Sequence, residues 1–322
     1  MPRRVQTKVV DTAESVASLV DWLVRIHNDR EDDDFSSLLY QPAIYIDLEG
    51  VNLSRHGSIS IFTLMVDIGM PVQSVYLIDI HVLAAQAFTT PGTESRTTLK
   101  NILEDKDIIK VFFDVRNDSD ALFAHYGIAL QGIDDIQLME SATRETTTSR
   151  KYLSGLSKCV EKNMIMWFGV GQDLKEWKEA KELGERLFNP QQGGTYEVFN
   201  ERPIPDAIIK YCAGDVRCLR EIHYNLGSHR AYVWRDLYRD ATKARVASTH
   251  APDYQPHGQH KALAPWTDEQ NNNLNSMNYK PPARDYFDDF DDYDPDEEDY
   301  WDGRDDNDYE DWTRAPWQGP PS

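Results

Sequence analysis

An α/β layer architecture, a mixed five-stranded sheet flanked by helices, is what this sequence predicts. Short apolar runs rich in Ile, Val, Tyr and Phe have the length of buried strands. Other segments repeat their apolar residues every three or four positions, the period of a helix with one buried face. The order completes the case: three strands follow one another, and later strands alternate with helices.

Taken along the chain, Val16, Leu19, Val20, Leu23, Val24 and Ile26 fall at helical spacing, so a helix is expected over 11–28, capped by Asp11 or Thr12. The acidic run Glu31-Asp32-Asp33-Asp34 ends it. Strands are expected at Ala43–Leu48, Ser58–Asp67, Val75–Asp79, Ile108–Phe113 and Ile133–Leu138. Helical patterns occupy Arg96–Asp105, Asp118–Tyr126, Leu153–Asn163 and Leu174–Leu187. After a loop, Asn189–Pro205, an amphipathic helix is expected over Pro205–Asn225, with Ile208, Ile209, Cys212, Val216, Leu219 and Ile222 on its apolar side, and another over Arg230–Val246. From Ala251 the composition turns to Pro, Gln, Asn and Gly, then to Asp, Tyr and Trp. Such a segment buries too little apolar surface to offset its ordering entropy, so a disordered acidic C-terminal tail is expected over 251–322. The expected parts are therefore an N-terminal helix and acidic turn (1–40), a folded domain (41–250) and that tail.

The net charge of −21 is unevenly placed. Pro281–Ser322 carries −13 of it, leaving −8 for the rest. An acidic body argues against a protein that coats nucleic acid through a broadly basic surface; any such contact must use local Lys/Arg clusters. The cysteines, Cys159, Cys212 and Cys218, form no C-x-x-C pair and read as reduced thiols inside a core. Met1-Pro2-Arg3-Arg4 leads into no apolar stretch of signal-peptide length, and no run is long enough to span a membrane. An intracellular location, nuclear or cytoplasmic, is expected.

Three groups of residues carry chemistry. Asp47 and Glu49 end the first strand and, two apart, face the same way. Tyr211 and Asp215 stand one helical turn apart, with Gly214 beside them at a cost of about 1 kcal/mol relative to Ala, a hint of close approach. Asn117-Asp118-Ser119-Asp120 opens a helix directly after a strand. There Asp118 suits a helix N-terminus, and Asp120 is the carboxylate expected to look back across the sheet edge.

Together, D-x-E, an internal Asp and Y-x3-D resemble the DEDD superfamily of 3′–5′ exonucleases in its tyrosine-bearing subclass, the group of ribonuclease D and the Werner helicase exonuclease domain. IYIDLEGVNLSRHGSISIFTL (44–64), KVFFDVRNDSDALFAHYG (110–127), the DDIQLM that follows at 134–139, and the segment 193–219 with Arg202-Pro203 and YCAGDVRCL are similar to its eukaryotic, Egalitarian-like branch. The resemblance spans roughly Ala43–Leu226 and implies a ribonuclease-H-like sheet. It implies two divalent cations, Mg²⁺ or Mn²⁺, held by Asp47, Glu49, Asp120 and Asp215, with Tyr211 orienting the attacking water. All-carboxylate ligation suits those ions better than zinc. Ribonuclease D has a His where Phe113 stands here, so the second-motif register leaves Asp118 as the alternative ligand.

The expected partner is single-stranded RNA or DNA. Arg55, His56, Arg144, Arg150, Lys151, Arg202 and Arg217 are candidate phosphate contacts, and Leu48 and Val51 candidate wedges against the terminal base. The acidic tail reads as a solubilising segment or as a polyanion that competes for the cleft or recruits a protein partner. The alternatives to an exonuclease are a catalytically quiet nucleic-acid-binding or scaffold module of the Egalitarian-like type and a protein-interaction adaptor.

Overall fold

The computed structural model describes residues 4–31, 44–67, 72–164 and 170–279. Six strands form one sheet: β1 (Arg4–Val10), β2 (Ile44–Glu49), β3 (Ile61–Val66), β4 (Val72–Asp79), β5 (Lys110–Phe112) and β6 (Ile133–Asp135). Their spatial order is β1-β4-β3-β2-β5-β6. The β2-β3-β4 meander is antiparallel, while β1 lies parallel to β4, and β5 and β6 run parallel to β2. The sheet is mixed as expected, with one strand more. Arg4–Val10 mixes Val with Gln, Thr and Lys and leaves residues 6–9 exposed, an edge segment that only its pairing with β4 makes a strand.

The main helices are α1 (Ala13–Glu31), α2 (Leu99–Glu104), α3 (Arg116–Tyr126), α4 (Ile136–Ala142), α5 (Leu156–Met164), α6 (Val170–Phe188), α7 (Asp206–Thr249) and α8 (Asp268–Asn278). Side-chain alternation sends Ile44, Ile46 and Leu48 of β2 into one core, which α1, α2 and α3 cover. Tyr45 enters the other core, together with Ile61, Met65, Val75 and Leu77 of the sheet and Ile208, Cys212, Val216 and Leu219 of α7. Asp47 and Glu49 share Tyr45's face of β2, the side on which α7 packs.

Three expectations change. The two helices expected over 205–246 are one helix of 44 residues, α7. Gly227 would cost such a helix about 1 kcal/mol, but Ile222 and Leu226 before it and Trp234 and Tyr238 after it are all buried in the same core. β6 ends at Asp135 because that carboxylate accepts a hydrogen bond from the Gln137 amide and starts α4 there. The segment expected to be disordered from Ala251 is folded as far as Tyr279, in one unit with the rest. Leu274 is fully buried, the Trp266 indole donates to Ser141 Oγ at 2.9 Å, and Asn278 Nδ2 donates to the Ala142 carbonyl at 2.7 Å. Low average hydropathy concealed a few well-placed anchors. The acidic stretch from Lys280, and with it the regulatory reading of the tail, lies outside the described residues.

Among the described residues no helix is long and apolar enough to cross a membrane. Cys159, Cys212 and Cys218 are free and buried.

Candidate active site

β2 delivers Asp47 and Glu49 towards α7, and α7 delivers Asp215 towards them. One carboxylate oxygen from each lies within 4.8 Å of the others. Three like charges so close cannot all ionise at no cost. Burial, then the charge of Asp215, raises Asp47 to about 7, with Lys181 opposing. Burial and the charges of Asp47 and Asp215 push Glu49 well above the usual carboxylate range.

Tyr211 stands one turn before Asp215 on the same face of α7 and is buried. Burial and the surrounding carboxylates raise its phenol well above the ordinary value, so it keeps its proton. The close approach at Gly214 is that of Trp177 on α6: a Cβ on Gly214 would lie 3.2 Å from the indole Cδ1. The indole Nε1 donates to Asp215 Oδ1 at 3.1 Å. One turn further along α6, Lys181 Nζ donates to Asp215 Oδ2 at 2.7 Å and to the Tyr211 hydroxyl at 3.3 Å. Burial alone would lower this ammonium, but Asp215, Asp47 and Glu49 outweigh it and hold it above its usual value. Neither α6 residue was singled out in the sequence. Their signal is W-x3-K on a helix, two polar tips aligned by the i, i+4 spacing.

The second motif sorts differently from expectation. Asp120 is fully buried away from the three carboxylates, accepting from the Arg55 amide at 2.7 Å and from Arg55 Nε at 2.6 Å. Asp118, two residues earlier, projects from α3 about 200° away. Burial, then the charges of Asp47 and Asp114, raise Asp118 well above the usual range, so of the two second-motif acids it is the one that feels the charge of Asp47; it is not among the three carboxylates that converge within 4.8 Å.

Most of the expected phosphate contacts are engaged within the fold. Arg55 is held by Asp120 and by the carbonyls of Thr249 and Pro252. Arg202 pairs with Asp79 and with the carbonyls of Phe199 and Glu201. Arg144 pairs with Glu140, and Arg150 is fully buried against Asn271 and Asn275 of α8. Leu48 is core, on the opposite face of β2 from Asp47. Val51 is partly buried and His56 exposed. Lys151 stands over the Tyr152 ring, and Arg217 is partly exposed on α7. Unforeseen in the sequence, Lys261 comes back from beyond α7 to donate to Asn117 Oδ1, next to Asp118, and to the Pro256 carbonyl. It makes no carboxylate pair among the described residues, and burial pushes it down to about 8.

The comparisons with known proteins bear on the fold and the family. A family model described as 3′–5′ exonuclease matches residues 24–229, more than half of the chain. The piRNA biogenesis protein EXD1 of Mus musculus is 28% identical over 219 residues, 65% of this chain and 34% of that protein. Its Homo sapiens counterpart is 31% identical over 152 residues, 40% and 27% of the respective chains. This chain therefore matches between about a quarter and a third of the length of these relatives. Among solved structures, Trypanosoma brucei RNase D in complex with RNA U12 aligns with a TM-score of 0.59 at 22% identity, covering 81% of this chain and 77% of that one. Escherichia coli RNase D, an exoribonuclease involved in structured RNA processing, gives 0.50 at 17%, covering 76% and 51%. The structural likenesses establish a shared RNase D-like fold, and on the match that takes in β2, α3 and most of α7 the chain belongs to the 3′–5′ exonuclease family.

Proposed function

We propose that this chain removes nucleotides from the 3′ end of single-stranded RNA by metal-dependent hydrolysis. The observation that carries the reading is the convergence of Asp47, Glu49 and Asp215, with Asp118 held above the usual range by burial and by the charges of Asp47 and Asp114. Hard carboxylate oxygens and no His or Cys suit Mg²⁺ or Mn²⁺, and three carboxylates gathered around the single ammonium of Lys181 leave room for further positive charge. Asp47, Glu49, Asp118 and Asp215 would hold two such ions. When bound, these supply the charge that acidifies an attacking water and stabilises the departing 3′ oxygen.

The chain's own groups do the rest. Tyr211, kept protonated by its surroundings, offers a hydroxyl that sets the angle of the attacking water. Trp177 fixes one oxygen of Asp215 by its 3.1 Å hydrogen bond. Lys261, the cation beside Asn117 without a carboxylate partner, meets a backbone phosphate. RNA is preferred over DNA because the fold aligns with RNase D in complex with RNA U12.

The test is degradation of 5′-labelled RNA and DNA oligonucleotides in Mg²⁺, Mn²⁺ or EDTA, with Asp47→Ala/Glu49→Ala protein as control. A ladder shortening from the 3′ end, dependent on metal and absent in the control, is expected. Intact oligonucleotide in every metal condition refutes the proposal. One observation favours a second reading, a catalytically quiet RNA-binding module: Lys181 already neutralises Asp215 from within.

A further inference from the structure

α6 and α7 meet across two glycines. A Cβ on Gly184 of α6 would lie 2.8 Å from the Tyr211 side chain, and one on Gly214 of α7 would lie 3.2 Å from the Trp177 indole. A larger residue at Gly184 would have to displace the Tyr211 side chain, and one at Gly214 would crowd the indole. This close approach directs two α6 side chains onto one carboxylate: Trp177 takes Asp215 Oδ1 and Lys181 takes Asp215 Oδ2. The ammonium also stands 3.3 Å from the Tyr211 hydroxyl and 4.6 Å from its ring centroid. It is the cation that balances the inward-facing carboxylates, and its side chain is only 16% exposed.

We infer that Lys181 is a resident cation of the carboxylate group, one that neutralises Asp215 in the metal-free protein and is displaced from it when a divalent ion binds. The inference rests on the metal-dependent reading of the site. A carboxylate has lone pairs enough for several partners, but an ammonium 2.7 Å from a ligand oxygen repels a dication at that oxygen. Lys181 and the metal therefore compete for Asp215, and the ion pair lowers the affinity for metal. Displaced, the ammonium stays on α6 beside Tyr211. The same helix thus couples metal loading to the surroundings of the hydroxyl that orients the water.

The competition is tested on the full chain by titrating Mn²⁺ calorimetrically into the wild type, Lys181→Met, Lys181→Gln, Lys181→Arg and Asp47→Asn. Each protein is also melted in EDTA and in saturating Mn²⁺. Removing a like charge this close changes a site's affinity for positive charge by one to three decades. Lys181→Met and Lys181→Gln are therefore expected to bind Mn²⁺ about tenfold tighter or more, and Lys181→Arg to bind as the wild type does. Both neutral variants should melt lower than wild type in EDTA and recover in Mn²⁺. A purely structural salt bridge would lower both melts alike and leave the affinity unchanged. Unchanged or weaker Mn²⁺ binding by both neutral variants, with binding abolished by Asp47→Asn, overturns the role of Lys181 while the metal site stands. Absence of Mn²⁺ binding by wild type and neutral variants alike overturns both.

Discussion

Replacing Asp118 and Asp120 one at a time, each by Asn, separates two carboxylates that the sequence could not tell apart. Asp120 is fully buried and accepts two short hydrogen bonds from Arg55, one from the backbone amide and one from Nε. An amide in its place offers one acceptor and points an N–H at a donor, leaving a partly buried guanidinium short of its partner. Breaking such a pair costs about 3 kcal/mol. At about 2 °C per kcal/mol for a chain of this size, the melting temperature should fall by about 6 °C. Asp118→Asn removes a carboxylate that burial and Asp47 hold well above its ordinary range. It should leave the metal-free melting temperature unchanged or raised. Under the proposed function it should lower turnover about 10³-fold, since several kcal/mol of metal-borne charge stabilisation are lost at 1.36 kcal/mol per decade. The assay pairs thermal melting in EDTA with single-turnover degradation of labelled RNA in Mn²⁺. An Asp120→Asn protein that melts like the wild type and is inactive, beside an active Asp118→Asn protein, would refute the assignment.

Two further outcomes are expected. Lys110 is fully buried, donates to the carbonyls of Ile102 and Asp105, and is pushed by burial from 10.5 down to about 7. Below about pH 7 both folded and unfolded chains keep the proton, so the buried charge costs stability in full; between about 7 and 10.5 only the unfolded chain keeps it, so stability should rise with pH. Lys110→Met should erase that rise in urea melts, and an identical pH profile would discount the burial argument. If Lys261 meets a phosphate, Lys261→Ala should weaken single-stranded RNA binding in EDTA and reduce the log–log salt slope by about 0.7; an unchanged slope would place the phosphate contact elsewhere.

The meander, the alternation that follows it and the burial of one face of α7 were all legible in the sequence, because each is a local period of two or 3.6 residues. So was the facing of Asp47 and Glu49, since alternation on a strand is fixed by the backbone. The i, i+4 rule likewise put Tyr211 and Asp215 on one side of a helix, and Gly214 announced a close neighbour without naming it. Tertiary structure decided what depends on long-range partners. The β1 strand exists through β4, and the segment 251–279 through Trp266, Leu274 and Asn278. Asp118 and Asp120 are equivalent acids in sequence; a rotation of about 200° along α3 gives Asp120 to Arg55 and leaves Asp118 under the charge of Asp47. Arginine patterns could not say which guanidiniums were already paired, and Arg55, Arg144, Arg150 and Arg202 are all held by the fold. Sequence periodicity reports which face a side chain occupies. Which charge waits on the other side is set by helices packed from far along the chain, and here that placed Trp177 and Lys181 on Asp215.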